Sequence, residues 1–450
     1  MIKDAVEQNA FNSPNKSFLE FSSNVLSCAE FNDNVNNIVL SKTMPNRARY
    51  IAVCLSDPVQ LLLYIFACNR LKKIPVIFPS NSNIEHLFDN SISFDYKITD
   101  SNCMIQYKKR SKYFGYKYDE DDIQCVIFTS GTSGLLKGVE LTFGNIYYSA
   151  KNLSSIYPFN NNDVYLNVMP LYHVSGLSII FRSIYFNFLS ILNLYNKREV
   201  LDVIKKKKVT CLSVVPKMIF DFSNDQDSEN VLSKLNFLLI GGDMINQNHY
   251  NYLTINKINA YVSYGATETA SSVAGYWIKN QKKYIQGFIG KPHPNVSLSI
   301  SSGCIKVKSD TVMKRYYGCS ISNNVYQSTD QADMINSNIF FIGRSEDQIV
   351  SGGKNINLKY VQNKYNALNL NIDAVVTSFK NLEWGDSVVL LYESKKECRN
   401  YINKIKKSLT KCLPKYMIPK HIINIPNIPR YENGKVNYDN LKAYVKNKIQ

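Results

Sequence analysis

Short apolar runs alternate with longer helical stretches through the first half of the chain. Residues 50–55 and 74–79 are largely apolar and are predicted to be buried strands. Between them, the pair Asp57–Pro58 predicts the start of an apolar helix that ends near Arg70. The same alternation predicts further strands at 164–169, 190–194, 210–215 and 237–240 and helices at 176–188 and 199–207. Strands that alternate with helices are typical of parallel sheets with helical crossovers, so the sequence predicts an α/β fold.

The pattern changes in the second half of the chain. From about Gly287, short strands with Gly and Ser turns predict a small β subdomain. Near the C-terminus, apolar segments at 374–377 and 388–392 and a lysine-rich helix at 400–413 predict a small α+β domain.

These changes predict two domains of unequal size. We expect a large N-terminal domain at 1–343, built of parallel-sheet α/β subdomains plus the small β subdomain. A charged hinge is expected at 344–346, because a charged linker suits a bend better than a floppy tether. A small, mobile α+β C-terminal domain is expected at 347–450.

Composition is that of a globular protein. The chain has 450 residues, of which 45% are hydrophobic and 20% charged. Its ten cysteines form no C-x-x-C pair, which argues against a zinc cluster or a small disulfide scaffold and favours reduced thiols in the cytoplasm. The N-terminus lacks the plan of a signal peptide, and the longest apolar run, at 59–68, is too short to span a bilayer.

The formal net charge of +17 raises the question of nucleic-acid binding. The lysines are scattered, and the one tight cluster, at 205–208, holds only four of them. We therefore predict no nucleic-acid partner. A basic face that attracts anionic nucleotides, or that touches an anionic membrane, explains the charge as economically.

The segment 129–138 follows a predicted strand at 125–128 and combines glycines, hydroxyl side chains and a lysine. Such a loop can aim backbone N–H groups and hydroxyls at phosphate oxygens. It is not a Walker A loop, because Leu136 precedes the lysine and Gly138 follows it. Taken alone, its composition favours an ordinary surface loop. The candidate phosphate ligands are Thr129, Ser130, Gly131, Thr132, Ser133, Gly134 and Lys137.

Further motifs lie at 264–268, 328–330, 343–356 and 429–436. In this order and at these separations, they resemble the signature motifs of the adenylate-forming superfamily, which includes acyl- and aryl-CoA ligases, luciferases and peptide-synthetase adenylation domains. The resemblance covers the chain from about residue 35 to the C-terminus. It implies that the chain is an enzyme that activates a carboxylate with ATP.

The resemblance also implies residue roles in an ATP site. The loop would close over the β- and γ-phosphates, and Glu268 would hold Mg²⁺, a hard ion that prefers oxygen ligands. Without the surrounding motifs, Tyr264 would be interpreted as a core tyrosine, Glu268 as a solvated loop carboxylate and Arg344 as part of a surface ion pair. The other implied ATP contacts are Gly242 and Tyr264 at the adenine, Thr267 at the α-phosphate, Asp330 at the ribose, and Arg344 at the ribose or phosphates.

The implied reaction has two halves, in which a carboxylate displaces pyrophosphate from ATP and the thiol of coenzyme A (CoA) then displaces AMP. Lys435 would stabilise the charge that develops in the first half, together with Thr267 and Glu268. The C-terminal domain would then rotate about Glu346. The residues implied to face CoA are Gly352, Gly353 and Lys354.

The segment 169–183 narrows the acid substrate. Its Pro-Leu-Tyr-His-Val-Ser-Gly-Leu-Ser sequence, followed by Arg182, resembles the bacterial o-succinylbenzoate–CoA ligases of menaquinone biosynthesis. The acid-pocket residues implied are His173, Arg182 and Gly265. Arg182 is a hypothesis for the carboxylate that is not activated, and an ordinary surface arginine is an equal alternative.

Several positions depart from the family pattern, and they leave the substrate less certain than the reaction. The departures are Leu136, Thr329, Glu346 and Tyr438. Another acyl- or aryl-CoA ligase, acting on a fatty or benzoic acid, remains an alternative. A binding protein that kept the fold and lost catalysis is a second one. The oligomeric state stays open, a homo-oligomer included.

Overall fold

The computed structural model describes residues 1–80, 94–103, 113–130, 136–225, 227–344, 348–351, 354–368, 370, 372–381, 385–431 and 434–449. The helices are α1 (Ala5–Asn12), α2 (Cys28–Leu40), α3 (Pro58–Arg70), α4 (Phe143–Ser154), α5 (Val174–Phe186), α6 (Lys197–Lys207), α7 (Pro216–Ser223), α8 (Ser228–Leu232), α9 (Gln247–Ile255), α10 (Leu358–Asn366), α11 (Arg399–Thr410) and α12 (Tyr438–Ile449). The strands are β1 (Ile2–Lys3), β2 (Ser17–Phe21), β3 (Asn24–Ser27), β4 (Tyr50–Cys54), β5 (Ile74–Ile77), β6 (Tyr96–Thr99), β7 (Lys117–Tyr118), β8 (Ile123–Ser130), β9 (Leu136–Thr142), β10 (Val164–Asn167), β11 (Leu189–Leu192), β12 (Cys211–Val214), β13 (Phe237–Ile240), β14 (Ala260–Ala266), β15 (Ser271–Trp277), β16 (Lys291–Pro292), β17 (Ser297–Ser301), β18 (Cys304–Lys308), β19 (Arg315–Tyr316), β20 (Val325–Ile335), β21 (Asn338–Arg344), β22 (Gln348–Ser351), β23 (Lys354–Asn357), β24 (Ala374–Asn381), β25 (Gly385–Glu393) and β26 (His421–Ile425).

Two large sheets form the first part of the molecule. One has the strand order β16-β15-β14-β13-β12-β10-β11-β2-β3, and its central strands, from β14 to β2, are parallel. The other has the order β19-β9-β8-β5-β4-β6, with β8, β5, β4 and β6 parallel. The predicted α/β fold is confirmed.

Helix α3 shows how the sequence sets one of these units. The carboxylate of Asp57 accepts a hydrogen bond of 2.8 Å from the backbone N–H of Gln60, and Pro58 occupies the first turn. Almost the whole helix beyond its first turn is buried. The apolar run at 59–68 is therefore a core helix, as its length predicted. No helix among the described residues is both long and apolar enough to cross a membrane.

One apolar core joins the two sheets through the helices between them. It contains Leu19 of β2, Val35 of α2, Leu62 of α3, Ile127 of β8 and Leu177 of α5, each at most 1% exposed. Because this core contains residues of α2 to α5 and of strands from both sheets, it packs the two sheets together.

A glycine brings α5 close to the segment before it. A Cβ atom at Gly176 would lie 2.4 Å from the carbonyl oxygen of Pro170, so only glycine fits there. This close approach fixes His173, the residue that precedes α5, against the turn at Met169 and Pro170.

Two smaller sheets complete the fold. The antiparallel sheet β17-β18-β20-β21 is the predicted small β subdomain. Strands β22 to β26 form a second sheet that packs with α10, α11 and α12 around its own apolar clusters, which is the predicted α+β arrangement. The hinge and the two domain ranges stay predictions, and Glu346 lies outside the described residues.

Candidate active site

The predicted phosphate segment is the tip of a hairpin. Strands β8 and β9 pair antiparallel, with Thr129 opposite Lys137 and Ser130 opposite Leu136. The expected loop at 129–138 is therefore wrong at both ends, because backbone pairing continues beyond the apolar run that marked the strand. Gly131, Thr132, Ser133 and Gly134 lie outside the described residues.

Lys137 is exposed on β9 and faces an aromatic ring. Its Nζ lies 5.2 Å from the centroid of the Tyr316 ring, a distance typical of a cation–π contact. The ammonium group is therefore placed beside the tip of the hairpin, where the sequence predicted a phosphate ligand.

The predicted ribose carboxylate, Asp330, is held by two other predicted ATP residues. The hydroxyl of Tyr264 donates a hydrogen bond of 2.7 Å to Oδ2 of Asp330. Nε of Arg344 lies 3.3 Å from Oδ1, and the two residues face each other across β20 and β21. Burial and the charge of Asp330 raise the pKa of Tyr264, so this hydroxyl stays protonated and donates. The structure thus brings three of the predicted ATP residues together.

Glu268 lies in a one-turn 3₁₀ helix, Thr267–Thr269, directly after β14. Its side chain is 6% exposed, and Oε1 accepts a hydrogen bond of 2.8 Å from the hydroxyl of Tyr316. Thr267 is half-buried at the start of the same turn. The turn therefore holds a buried carboxylate next to the residue predicted to bind the α-phosphate.

The donor set at Glu268 fits a magnesium ion that is shared with a nucleotide. Within the described ranges there is no cluster of three or more His, Cys, Asp or Glu residues that could hold a metal by itself. Mg²⁺ is commonly bound by one or two carboxylates together with substrate phosphates and water. Glu268 can supply that carboxylate.

A tight hairpin presents Lys435. The backbone N–H of Tyr431 donates to the carbonyl of Lys435 at 2.8 Å, and Arg430 pairs with Val436 across the turn. Nη1 of Arg430 also donates to the carbonyl of Gly434 at 3.0 Å. These bonds fix the backbone that carries Lys435.

The Lys435 side chain reaches into the cleft formed by the ends of β13 and β14. Gly242, in the left-handed region at a φ of +85°, lies so close that a Cβ atom built on it would be 3.9 Å from Cε of Lys435. Lys435 is open to solvent from the cleft but crowded by protein on its other sides. This desolvation, and then the charge of Arg344, lowers the pKa of Lys435, while Asp243 and Glu268 oppose the shift.

His173 contributes a neutral ring to the same cleft. Burial, and then the charge of Lys435, lowers the pKa of His173 to about 4. At neutral pH the imidazole is therefore uncharged. His173 can contact an acid through its ring or a neutral hydrogen bond, but not as a cation.

Arg182 is a buried residue, and the alternative of a surface arginine is wrong. It is 2% exposed and lies on α5, where Nη2 donates to Oγ of Ser178 at 2.8 Å and to Oγ of Ser271 at 3.3 Å. Its Nη1 is buried without a hydrogen-bond partner. Burial lowers the pKa of Arg182, opposed mainly by the Tyr165 hydroxyl, and no Asp or Glu in the described part of the chain forms an ion pair with it.

Gly265 lies where β14 bulges against β15. A Cβ atom at Gly265 would lie 1.9 Å from the carbonyl oxygen of Ser271, so a side chain cannot be accommodated. Ser271 itself has a φ of +111°, a strained value for a residue other than glycine. Ser271 thus joins Gly265 to Arg182, and His173 precedes the helix α5 that carries Arg182.

The predicted CoA residues are only partly described. Lys354 begins β23 and is exposed, whereas Gly352 and Gly353 lie outside the described residues. Among the described residues, no hydrogen bond or ion pair joins the Lys354 side chain to another predicted site residue.

Sequence reasoning missed two residues of the site. Tyr316 was hidden among 31 tyrosines, and a two-residue strand gives no periodic pattern. Lys359, whose Nζ lies 2.7 Å from Oδ1 of Asp243, was passed over as one lysine among many. Neither residue lies in a pattern of the sequence that could have identified it.

Comparisons with known proteins agree with the predicted fold and family. A family model described as AMP-binding enzyme matches residues 92–317, about half of the chain. The 2-succinylbenzoate–CoA ligase of Oceanobacillus iheyensis is 26% identical, with 87% of this chain and 88% of that protein covered. The protein of the same name from Lactococcus lactis is 25% identical, with 96% and 98% covered.

Solved structures give the same fold. The o-succinylbenzoate CoA synthetase from Bacillus subtilis in complex with the acyl-adenylate intermediate OSB-AMP has a TM-score of 0.82 and 22% identity, with 98% of both chains covered. The same protein in complex with ATP and magnesium ion also has a TM-score of 0.82, with 99% of both chains covered.

Proposed function

We propose that this chain, which belongs to the AMP-binding enzyme family, is an acid–CoA ligase that converts o-succinylbenzoate, ATP and CoA to o-succinylbenzoyl-CoA, AMP and pyrophosphate. The observation that carries the proposal is the position of Lys435, whose Cε lies 3.9 Å from where a Cβ atom on Gly242 would be. A lysine from the C-terminal part of the chain thus lies among the residues expected to hold a nucleotide. The names of the relatives support the choice of acid.

In the first half-reaction, an oxygen of the substrate carboxylate forms a bond to the α-phosphorus of ATP. The bond between the α-phosphorus and the oxygen that bridges to the β-phosphate breaks, and pyrophosphate leaves. Lys435 stabilises negative charge on the carboxylate and the α-phosphate. Asp330 orients the ribose, and Lys137 lies beside the phosphates that leave as pyrophosphate. A magnesium ion on Glu268 and the phosphates would neutralise phosphate charge.

In the second half-reaction, the CoA thiolate adds to the carbonyl carbon of the acyl-adenylate, and the bond to AMP breaks. We infer that residues 347–450 rotate about the hinge between the two steps, which withdraws Lys435. Gly352, Gly353 and Lys354 would then face the thiol donor. The charged hinge residues absorb the change in backbone direction.

Arg182 supports a substrate with two carboxylates. A buried guanidinium with an unpaired N–H group can accept a carboxylate with little further desolvation. It also borders a small apolar cavity whose wall includes Leu177, Phe181 and Ala270. A second carboxylate on the substrate would supply an acceptor for this N–H group of Arg182.

The test is AMP release from ATP and CoA with o-succinylbenzoate, benzoate and a medium-chain fatty acid. We expect a kcat/KM at least about tenfold higher with o-succinylbenzoate. Lys435→Ala should lower adenylate formation by about 10²-fold or more, the usual cost of one transition-state contact. Lys442→Ala, an exposed lysine on α12, is the matched control and should have no effect. A higher kcat/KM with another acid would mean that the other acid is the substrate. An undiminished rate of adenylate formation in Lys435→Ala would overturn the mechanism.

A further inference from the structure

Tyr316 lies between the β8–β9 hairpin, which carries Lys137, and Glu268, the proposed magnesium ligand. It belongs to β19, which pairs antiparallel with β9 through Arg315 opposite Glu140 and Tyr316 opposite Val139. Strand β9 is the outgoing arm of the phosphate hairpin. Tyr316 is therefore attached to the hairpin through the backbone ladder.

The same residue contacts the carboxylate expected to hold the metal. Its hydroxyl donates to Oε1 of Glu268 at 2.8 Å. Three residues earlier, the backbone N–H of Met313 donates to the carbonyl oxygen of Glu268, also at 2.8 Å. One short segment thus holds both the main chain and the side chain of Glu268.

The ring of Tyr316 contacts the lysine of the hairpin. Nζ of Lys137 lies 5.2 Å from the ring centroid, within the range of a cation–π contact. The hydroxyl and the ring therefore contact opposite charges: the Glu268 carboxylate at one end and the Lys137 ammonium over one face.

The backbone around Tyr316 is firmly anchored. Nε of Arg315 lies 2.7 Å from Oε2 of Glu140, a carboxylate with no exposed surface. The N–H of Tyr317 donates to the carbonyl of Gly138 at 2.7 Å. A residue fixed on both sides can transmit position to the groups it contacts.

We propose that Tyr316 is a positioning residue for the metal and triphosphate site, in which its hydroxyl orients Glu268 toward the magnesium ion and its ring locates Lys137 beside the phosphates. This inference rests on the proposed function, because it takes Mg–ATP as the ligand. It goes beyond it by assigning a role to a residue outside the signature motifs. Residues that orient a metal ligand from the second layer commonly change metal affinity by 10- to 100-fold when they are removed.

The test measures nucleotide binding without any acid or CoA. Calorimetric titration with a non-hydrolysable ATP analogue at a series of Mg²⁺ concentrations gives the Mg²⁺ concentration at half-maximal affinity. Tyr316→Phe, which keeps the ring and removes the hydroxyl, should raise that concentration by about tenfold. Binding of the analogue in the absence of Mg²⁺ should stay within about twofold.

Tyr157→Phe is the matched control, because it removes a tyrosine–carboxylate bond of 2.9 Å, to Asp163, away from the site. It should lower thermal stability about as much as Tyr316→Phe while leaving the Mg²⁺ dependence unchanged. Equal Mg²⁺ dependence in wild type and Tyr316→Phe, or an equal shift in both variants, would overturn the inference.

A second variant separates the ring from the hydroxyl. Tyr316→Leu should show the Mg²⁺ shift of Tyr316→Phe and, at saturating Mg²⁺, a further rise of about two- to fivefold in the dissociation constant of the analogue, since the Lys137 contact is also lost. Equal affinities of the two variants at saturating Mg²⁺ would overturn the role of the ring. Because no acid takes part, failure of the proposed acid–CoA ligase reaction would be visible separately, as an enzyme that binds Mg–nucleotide but forms no adenylate.

Discussion

At the scale of single residues, the polar groups of the site have partners, and Arg182 stands apart. Its Nη1 is buried without a hydrogen-bond partner, and its other contacts are to the hydroxyls of Ser178, Ser271 and Tyr165 and not to a carboxylate. Leaving a buried donor unsatisfied costs about 1–3 kcal/mol, and more when the group is charged. A substrate carboxylate would supply the missing acceptor.

Replacing Arg182 should therefore affect one substrate and not the others. We expect Arg182→Met to raise the KM for o-succinylbenzoate by about 10- to 100-fold, because a hydrogen bond to a charged group contributes about 1.5–3 kcal/mol. The KM for ATP should stay within about twofold. Steady-state kinetics with each substrate varied in turn gives both values, and Arg198→Met, an exposed arginine on α6, is the control. An unchanged KM for o-succinylbenzoate would exclude the role.

His293 predicts how stability depends on pH. It is 2% exposed, its Nε2 lies 2.9 Å from the Tyr261 hydroxyl, and burial lowers its pKa from 6.5 to about 4. Between these pH values, His293 binds a proton in the unfolded chain and not in the folded chain. Its contribution to the free energy of unfolding is therefore complete above pH 6.5 and is lost as the pH drops toward 4.

The contribution of His293 can be measured by substitution. A pKa shift of this size corresponds to at most about 3 kcal/mol of stability. Between pH 7 and about pH 4.5, we expect the free energy of unfolding of His293→Gln to fall by about 2 kcal/mol less than that of the wild type. Urea unfolding at the two pH values gives the difference. His173 and His249 also titrate in this range, but they do so in both proteins and cancel. Parallel pH profiles would contradict the assignment.

At the scale of elements, the bulge between β14 and β15 shapes the centre of the site. Tyr264 and Glu268 lie on either side of Gly265, so a displacement of this turn moves both the tyrosine that holds the ribose carboxylate Asp330 and the proposed metal carboxylate Glu268. The close approach of the Ser271 carbonyl leaves no room for a side chain at Gly265. The bulge therefore depends on glycine for packing.

Gly265→Ala should damage both stability and nucleotide binding. The backbone would have to move to admit a methyl group, which typically costs about 1–3 kcal/mol, and we expect the KM for ATP to rise by about tenfold. Gly303→Ala is the control, because that turn has a φ of +74° with nothing within 4 Å, so it loses stability without changing the KM for ATP. Unfolding experiments and ATP kinetics on both variants separate the two effects.

The elements themselves followed from the sequence where burial is simple. The apolar runs predicted β4, β5, β13 and α3 to within two or three residues, because each is buried over nearly its whole length. Strand β9 was missed, since its residues become a strand only through the partner strand β8. The burial of Arg182 and the contact of Tyr316 with Glu268 could not be predicted from the sequence, because both arise from tertiary packing.

At the scale of the whole molecule, ion pairs join the C-terminal part to the rest across the cleft. Nζ of Lys359, on α10, lies 2.7 Å from Oδ1 of Asp243, and Nζ of Lys217, on α7, lies 3.4 Å from Oδ2 of Asp373. The chain at Gly434 also packs on Val215. These contacts hold the arrangement in which Lys435 reaches the cleft.

If residues 347–450 rotate after adenylation, as we propose, contacts that cross the cleft favour the first half-reaction alone. Lys359→Met should therefore slow adenylate formation by about two- to fivefold, the effect of a partly exposed ion pair worth up to about 1 kcal/mol. Transfer of a preformed adenylate to CoA should proceed at the wild-type rate or faster, because the rotated state is no longer opposed. Rapid-quench measurements of each half-reaction give the two rates.

The control removes an ion pair of the same kind that does not cross the cleft. Lys197→Met breaks the contact of 3.2 Å between Lys197 and Asp225, and it should leave both rates unchanged. An equal loss in both half-reactions of Lys359→Met would mean that the residue acts on folding and not on the arrangement of the two parts. A slower transfer with unchanged adenylation would reverse the assignment and place Lys359 in the thioester-forming state.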